Sequence, residues 1–301
     1  MIALWFVVLI ASAPPMVFGA TEAPAKPPSA VTHRRNPKDG AELVWVPAGE
    51  FLCGMPGGQE EITQSYPPIP LPPHKVRLTG FWIYQYEVTN EMFRRFVEAT
   101  GYKRLPCRWT NEPPPYFVDV IIPKPAGFPR PEWWEKIKRV PVAVDWYDAE
   151  AYARWAGAAL PTELQWEKAA RGTDGRRFPW GNQPLSSLVE KFWTGPVGSY
   201  PEDISPYGAV EMFSNAKEWT STKLGELVVV RGYHISGPWA FRQEARDDRP
   251  TREEACDFWE GRSVCDRAVY PPEHGPPEMS ERYGTGEAGI GFRCVILQGS
   301  K

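Results

Sequence analysis

Residues 141–172, PVAVDWYDAEAYARWAGAALPTELQWEKAARG, contain two helix starts and two helix stops in one stretch. Asp145 and Asp148 stand in a capping-box-like spacing ahead of Tyr152 and Trp155, which share an apolar side, and Gly157 supplies the stop. Thr162 and Gln165 repeat the device. The helix they open predicts Trp166 and Ala169 or Ala170 facing inward, with Gly172 as its stop. Val140 to Val144, just upstream, reads as a short strand.

Working outward, Thr89 and Asn90 cap a further helix in which Phe93, Phe96 and Val97 recur at helical spacing before Gly101. Leu43 to Val46 and Phe51-Leu52, separated by Pro47 and Gly49, read as two short strands around a turn. Lys75 to Leu78 and Phe81 to Val88 also read as strands. Residues 102–139 carry Pro and Trp without periodicity and read as an ordered surface excursion. From Phe178 onward turns dominate, with short apolar pieces at Leu227 to Val230 and Ile290 to Leu297. Helices early and short strands at both ends imply an α+β fold, and the lack of βαβ alternation disfavours a doubly wound sheet.

Composition agrees. The 301 residues include 34 Pro and 26 Gly, a loop-rich balance, while 42 % hydrophobic content supplies a large core. Lys+Arg number 34 against 37 Asp+Glu, and the net charge of −3 argues against a nucleic-acid partner.

Ile2 to Ala13 is almost wholly apolar and leads into Pro14, Pro15 and the small residues Gly19 and Ala20. The layout is that of a secretory signal peptide over 1–19, although no Lys or Arg precedes it. The expected product is exported, periplasmic or extracellular, without stable membrane insertion. Residues 20–40 read as a Pro-rich tether, with the domain over 41–298.

Five cysteines follow: Cys53, Cys107, Cys256, Cys265 and Cys294. In an oxidising compartment an odd count permits two disulfides and one thiol, and spacing does not choose the pairing. Four histidines, His33, His74, His234 and His274, offer no paired metal-ligand spacing. Gly284-Thr-Gly286-Glu-Ala-Gly289 matches a dinucleotide fingerprint as letters, yet it precedes an expected strand instead of following one, so it reads as coincidence.

Nine pieces in order carry a resemblance: VPAGEF (46–51), YEVTNEMFRRFVEATGY (86–102), PVAVDWYDAEAYARWAG (141–157), LPTELQWEKAARG (160–172), FPWGN (178–182), PVGSYPEDISPYGAVEM (196–212), NAKEW (215–219), VVRG (229–232) and GIGFRC (289–294). Together they resemble the formylglycine-generating enzyme, or sulfatase-modifying factor, domain family. The resemblance implies a C-type-lectin-like variant of the α+β class with little regular secondary structure. It also implies an oxidase that turns a sulfatase cysteine into formylglycine with two thiols holding copper.

The stretch matching that thiol pair, Arg231 to Arg242, contains no cysteine. Gly237 stands near the first expected thiol and Phe241 near the second, with Tyr233 in a glycine's place and His234 in a serine's. Copper is therefore not expected. Cys256 and Cys265 follow Ala245, Arg246 and Pro250 inside an insertion, Thr251 to Ala288, in the wrong order to replace the pair. The expectation for them is a disulfide closing that insertion. Cys294 matches a family cysteine whose usual partner position holds Ala153 here, so its pairing stays open.

The resemblance further implies calcium held by the Glu211 and Glu218 carboxylates and the Ser214 and Ala216 carbonyls. Glu replaces the usual Asn or Asp, and Ser the usual Gly. A pocket of Arg231, His234, Trp239, Arg242 and Arg246 would suit carboxylate, sulfate, sugar or aromatic ligands. The alternative makes Arg231 and Arg246 structural, paired with buried acids. The leading expectation is an exported domain without thiol chemistry, a pseudoenzyme acting as a binding or accessory protein with a protein partner or an anionic or sugar ligand in the cell envelope. The alternatives are a formylglycine-generating oxidoreductase, or one with replacement chemistry around His234, and a lectin-like glycan binder.

Overall fold

The three helices among the described residues form where local capping chemistry places them. In the computed structural model, which describes residues 31–55, 71–102, 138–185, 188, 194–232, 267–270 and 290–299, helix α1 spans Asn90–Thr100. Thr89 accepts the Met92 N–H at its start, and Gly101 closes it in the left-handed region at φ 65°. Helix α2, Trp146–Trp155, is capped by the Asp145 carboxylate, which accepts the Asp148 N–H at 2.9 Å. Helix α3, Glu163–Arg171, carries a complete capping box between Thr162 and Gln165. Gly172 follows as its stop, and a Cβ there would meet Pro206 at 2.9 Å.

Nine strands are described: β1 His33–Arg35, β2 Glu42–Val46, β3 Gly49–Cys53, β4 His74–Leu78, β5 Phe81–Tyr84, β6 Glu218–Leu224, β7 Leu227–Arg231, β8 Arg267–Tyr270 and β9 Val295–Leu297. They make a four-stranded sheet in the order β1-β2-β5-β9, a β3-β4 pair and a three-stranded β6-β7-β8 sheet. All the strand pairings are antiparallel. Alternation along β2 and β5 sends side chains to two different cores. Leu43 and Tyr84 join Phe93, Phe96, Tyr152 and Phe292 under α1 and α2, whereas Val44, Val46 and Ile83 join Trp166, Phe178 and Phe213 beside α3. No helix among the described residues is long and apolar enough to cross a membrane.

Several expectations are corrected. The body starts earlier than Ala41: β1 pairs with β2, and Asn36 and Asp39 are buried. Asp39 accepts hydrogen bonds from the Tyr84 and Tyr152 hydroxyls at 2.6 and 2.8 Å. β1 is an edge strand with all three side chains exposed, so its composition matches that of a tether. β2 and β3 do not form a hairpin, because β3 pairs with β4. Val140 to Val144 makes scattered backbone bonds, Val142 to Val88 and Val144 to Ile290, and no strand. β5 stops at Tyr84, and only Val295–Leu297 of the last apolar run is a strand. β6 was not expected, and β8 falls inside the expected insertion, where Val269 pairs with Val229 of β7.

Candidate functional site

The three-stranded sheet and α3 meet around a buried ionic cluster. Helical spacing places Glu163, Glu167 and Arg171 four residues apart on one face of α3. Glu167 Oε1 accepts from Arg171 Nη1 at 2.8 Å and from the Gly54 N–H at 2.7 Å. Its Oε2 accepts from Arg231 Nη2 at 2.8 Å and from the Cys53 thiol at 3.4 Å. Glu163 lies 3.9 Å from the Arg231 guanidinium. Arg171 also donates to the carbonyls of Leu52, Gly54, Gly175 and Arg176. Burial alone would raise the Glu167 pKa, but Arg231 and then Arg171 outweigh it and hold the carboxyl below its ordinary value. Burial first, then the Glu167 charge, push the Cys53 thiol up, so it stays protonated and donates.

A second cluster sits where the sheets converge. Arg293 is fully buried and forks onto Glu218, with Nη2 at 2.7 Å from Oε1 and Nε at 2.8 Å from Oε2. Its remaining N–H groups reach the carbonyls of Tyr84, Gln85, Val210 and Glu211. Glu218 Oε2 accepts from Trp166 Nε1 as well, at 2.8 Å. Glu87 is buried 3.8 Å from Arg293, and its carboxyl interacts with the neighbouring Glu211 carboxyl. Burial and then the Glu211 charge raise its pKa well above the carboxylate range. Glu211 itself is held in the left-handed region at φ 60°, and its carboxylate accepts the N–H groups of Gly198 and Tyr200. Next to it, Asp203 Oδ2 accepts the Phe213 and Ser214 N–H groups and the Ser214 hydroxyl. Burial nevertheless pushes the Asp203 pKa up to about 6.

Residues 28–297 match the family described as sulfatase-modifying factor enzyme 1-like domain. The chain belongs to this family. It is 33% identical to the hercynine oxygenase of Mycolicibacterium smegmatis over 208 residues, which cover 60% of this chain and 45% of the relative. It is 32% identical to the formylglycine-generating enzyme of Mycobacterium tuberculosis over 232 residues, covering 60% and 74%. The chain thus spans under half of the hercynine oxygenase it matches. Among solved structures, PvdO from Pseudomonas aeruginosa superposes with a TM-score of 0.55 at 22% identity, covering 91% of this chain and all of that one. CarF gives 0.53 at 19%, covering 86% and 98%. These likenesses establish the fold expected from the sequence, an α+β sulfatase-modifying-factor domain with low regular secondary structure.

Within this domain the expected site residues divide. Arg231 is described, fully buried, and turned to Glu167 and Glu163. It is followed by Gly232, where a Cβ would press on the Ala216 carbonyl at 3.1 Å. His234, Trp239, Arg242, Arg246, Cys256 and Cys265 lie outside the described residues. Of the expected calcium donors, the Glu211 and Glu218 carboxylates do not fit a calcium ion as they stand. Both Glu218 oxygens are taken by Arg293, both Glu211 oxygens by N–H groups, and the guanidinium holds the place of a nearby cation. Among the described residues no group of three or more His, Cys, Asp or Glu could hold a metal.

Glu163, Glu167, Arg171, Glu87, Asp203 and Arg293 were not singled out from sequence. The first three carried the signal of four-residue spacing on a capped helix. Glu87 and Arg293 stand inside YEVTN and GIGFRC, two pieces that carry the resemblance.

Proposed function

We propose that this sulfatase-modifying-factor domain acts as an exported binding or accessory protein without the family's thiol–copper chemistry. The observation that carries this reading is the state of the cysteines. Arg231 to Arg242 has none, and the two described, Cys53 and Cys294, are both buried. The Cys53 thiol donates to an ionised Glu167, and burial with the Asp39 and Glu218 charges raises the Cys294 pKa. Copper needs thiolates, and both environments oppose them. Arg231 supports the same reading, because its buried guanidinium braces α3 against β7 through Glu167.

The test is incubation with copper, oxygen and a Cys-x-Pro-x-Arg peptide, read by mass spectrometry. Unchanged peptide is expected, and an aldehyde product overturns the proposal. Cell fractionation with N-terminal sequencing tests export: a mature chain starting after Gly19 is expected, and a cytoplasmic full-length chain overturns that part.

A second reading is favoured by the relatives named hercynine oxygenase: an oxidase of replacement chemistry centred on His234. Oxygen uptake with hercynine and added first-row metals distinguishes it, and uptake abolished by His234→Ala would establish it over the binding role.

A further inference from the structure

The four-stranded sheet carries two indoles beyond the needs of its cores. Trp45 on β2 and Trp82 on β5 are opposed in the register, their rings 5.2 Å apart and tilted by 55°. Both are half-buried; Trp82 rests on the first core, whereas Trp45 packs with neither core cluster. Gly80 makes room for it, since a Cβ there would lie 2.5 Å from Trp45 Cζ2 and 2.6 Å from Cη2.

Arg34 on β1 brings its guanidinium 5.9 Å from the Trp82 ring centre. It is exposed, and among the described residues no carboxylate pairs with it, whereas neighbouring Arg35 is neutralised by Glu42. Four residues on, Lys38 repeats the arrangement, exposed, with Nζ 5.3 Å from the Trp155 ring centre and without an acidic partner among the described residues. Between them Asn36 is buried and pinned by bonds to the Tyr84 hydroxyl at 2.8 Å and the Ala156 carbonyl at 3.0 Å. The segment therefore holds two cations at fixed positions beside flat aromatic surface.

We propose that Arg34, Trp45 and Trp82 form a binding site for an anionic saccharide, which Lys38, over the separate Trp155 ring, extends along the same segment. A sugar ring presents an apolar C–H face that stacks on an indole, and its sulfate or carboxylate groups match the guanidinium fork and the ammonium. An acidic peptide would satisfy the cations while leaving the Trp45 surface unused. The inference gives the binding role a ligand class and rests on that role only for its purpose. The site belongs to β1, β2 and β5, not to the segment after Arg231.

The experiment is isothermal titration of the full chain with a heparin hexasaccharide, a neutral cello-oligosaccharide of equal length and an oligo-glutamate peptide. Heparin binding that weakens with ionic strength is expected, together with a loss of about tenfold or more in the Arg34→Gln/Lys38→Gln double variant. Trp45→Ala should weaken it by about tenfold. The double variant changes only exposed side chains, so it remains informative if Trp45→Ala unfolds. Absent heparin binding, or equal binding by the double variant, overturns the site. So does a neutral or peptide probe that binds as tightly as heparin. None of those failures touches the copper-and-peptide assay, which tests the absence of thiol chemistry separately.

Discussion

The two buried charge clusters solve the same electrostatic problem with different stoichiometry. Around α3, two carboxylates, Glu163 and Glu167, face two guanidiniums, Arg171 and Arg231. Where the sheets converge, three carboxylates, Glu87, Glu211 and Glu218, surround Arg293. The first cluster can stay fully ionised. In the second, desolvation penalises every unmatched charge, and burial with the Glu211 charge raises the Glu87 pKa above its ordinary value. The balanced cluster braces β7 against α3. The acid-rich one ties three stretches of the chain, 84–87, 210–211 and Glu218, to a single arginine.

That comparison predicts which side chain the fold can least lose. Arg293→Met removes the cation of the second cluster and the donors to four carbonyls, so a loss of about 4 kcal/mol or more is expected by urea denaturation. Arg293→Lys, which keeps the charge but loses the fork, should recover only part of it. A loss below about 1 kcal/mol would mean that the Arg293–Glu218 pair contributes no more than an exposed ion pair.

Next in size is Glu167→Gln, expected to cost about 3 kcal/mol because it leaves two buried guanidiniums short of charge. The folded pKa of Glu167 is depressed below 4.5, so its stabilisation is full above that value and vanishes as pH falls through the lower native one. The variant should therefore lose that acid limb in melting curves. Retention of the limb would assign it to another carboxylate.

The same contrast explains what could be read in advance. The helices were legible because their signals are local: Thr89 and Gly101, Asp145 and Gly157, Thr162 with Gln165 and Gly172. The α3 cluster was half legible, since Glu163, Glu167 and Arg171 share one face by spacing alone, but Arg231 joins them only through the tertiary fold. The Arg293 cluster gave no spacing signal at all, because residues 87, 211, 218 and 293 meet only after three sheets have formed. Strand pairing failed for the same reason. β3 chose β4 over β2, and apolar Val140 to Val144 ran through the core as a crossing segment, where burial without a neighbouring ladder looks like a strand.

Asp203 reverses the sign of the Glu167 prediction. Its folded pKa of about 6 exceeds the ordinary 3.8, so the native state binds the proton more tightly and stability falls as pH rises between those values. Asp203→Asn keeps an acceptor oxygen for Phe213 and Ser214 and removes the charge. Its stability relative to the parent should rise by roughly 1 to 2 kcal/mol across that interval. A difference that is flat with pH would show that the three hydrogen bonds offset burial completely.

The smallest expected effect sharpens the comparison most. If Arg293 is the cation that the acid-rich cluster uses, a calcium chelator should leave the melting temperature unchanged, because ligand linkage requires an ion that binds the native state. Added calcium should then have no effect either, since reaching the Glu211 and Glu218 oxygens would mean displacing backbone N–H groups and the guanidinium fork. A fall in melting temperature with chelator, restored by calcium, would show that the ion competes successfully with Arg293, and the two clusters would then differ in metal dependence as well as in charge.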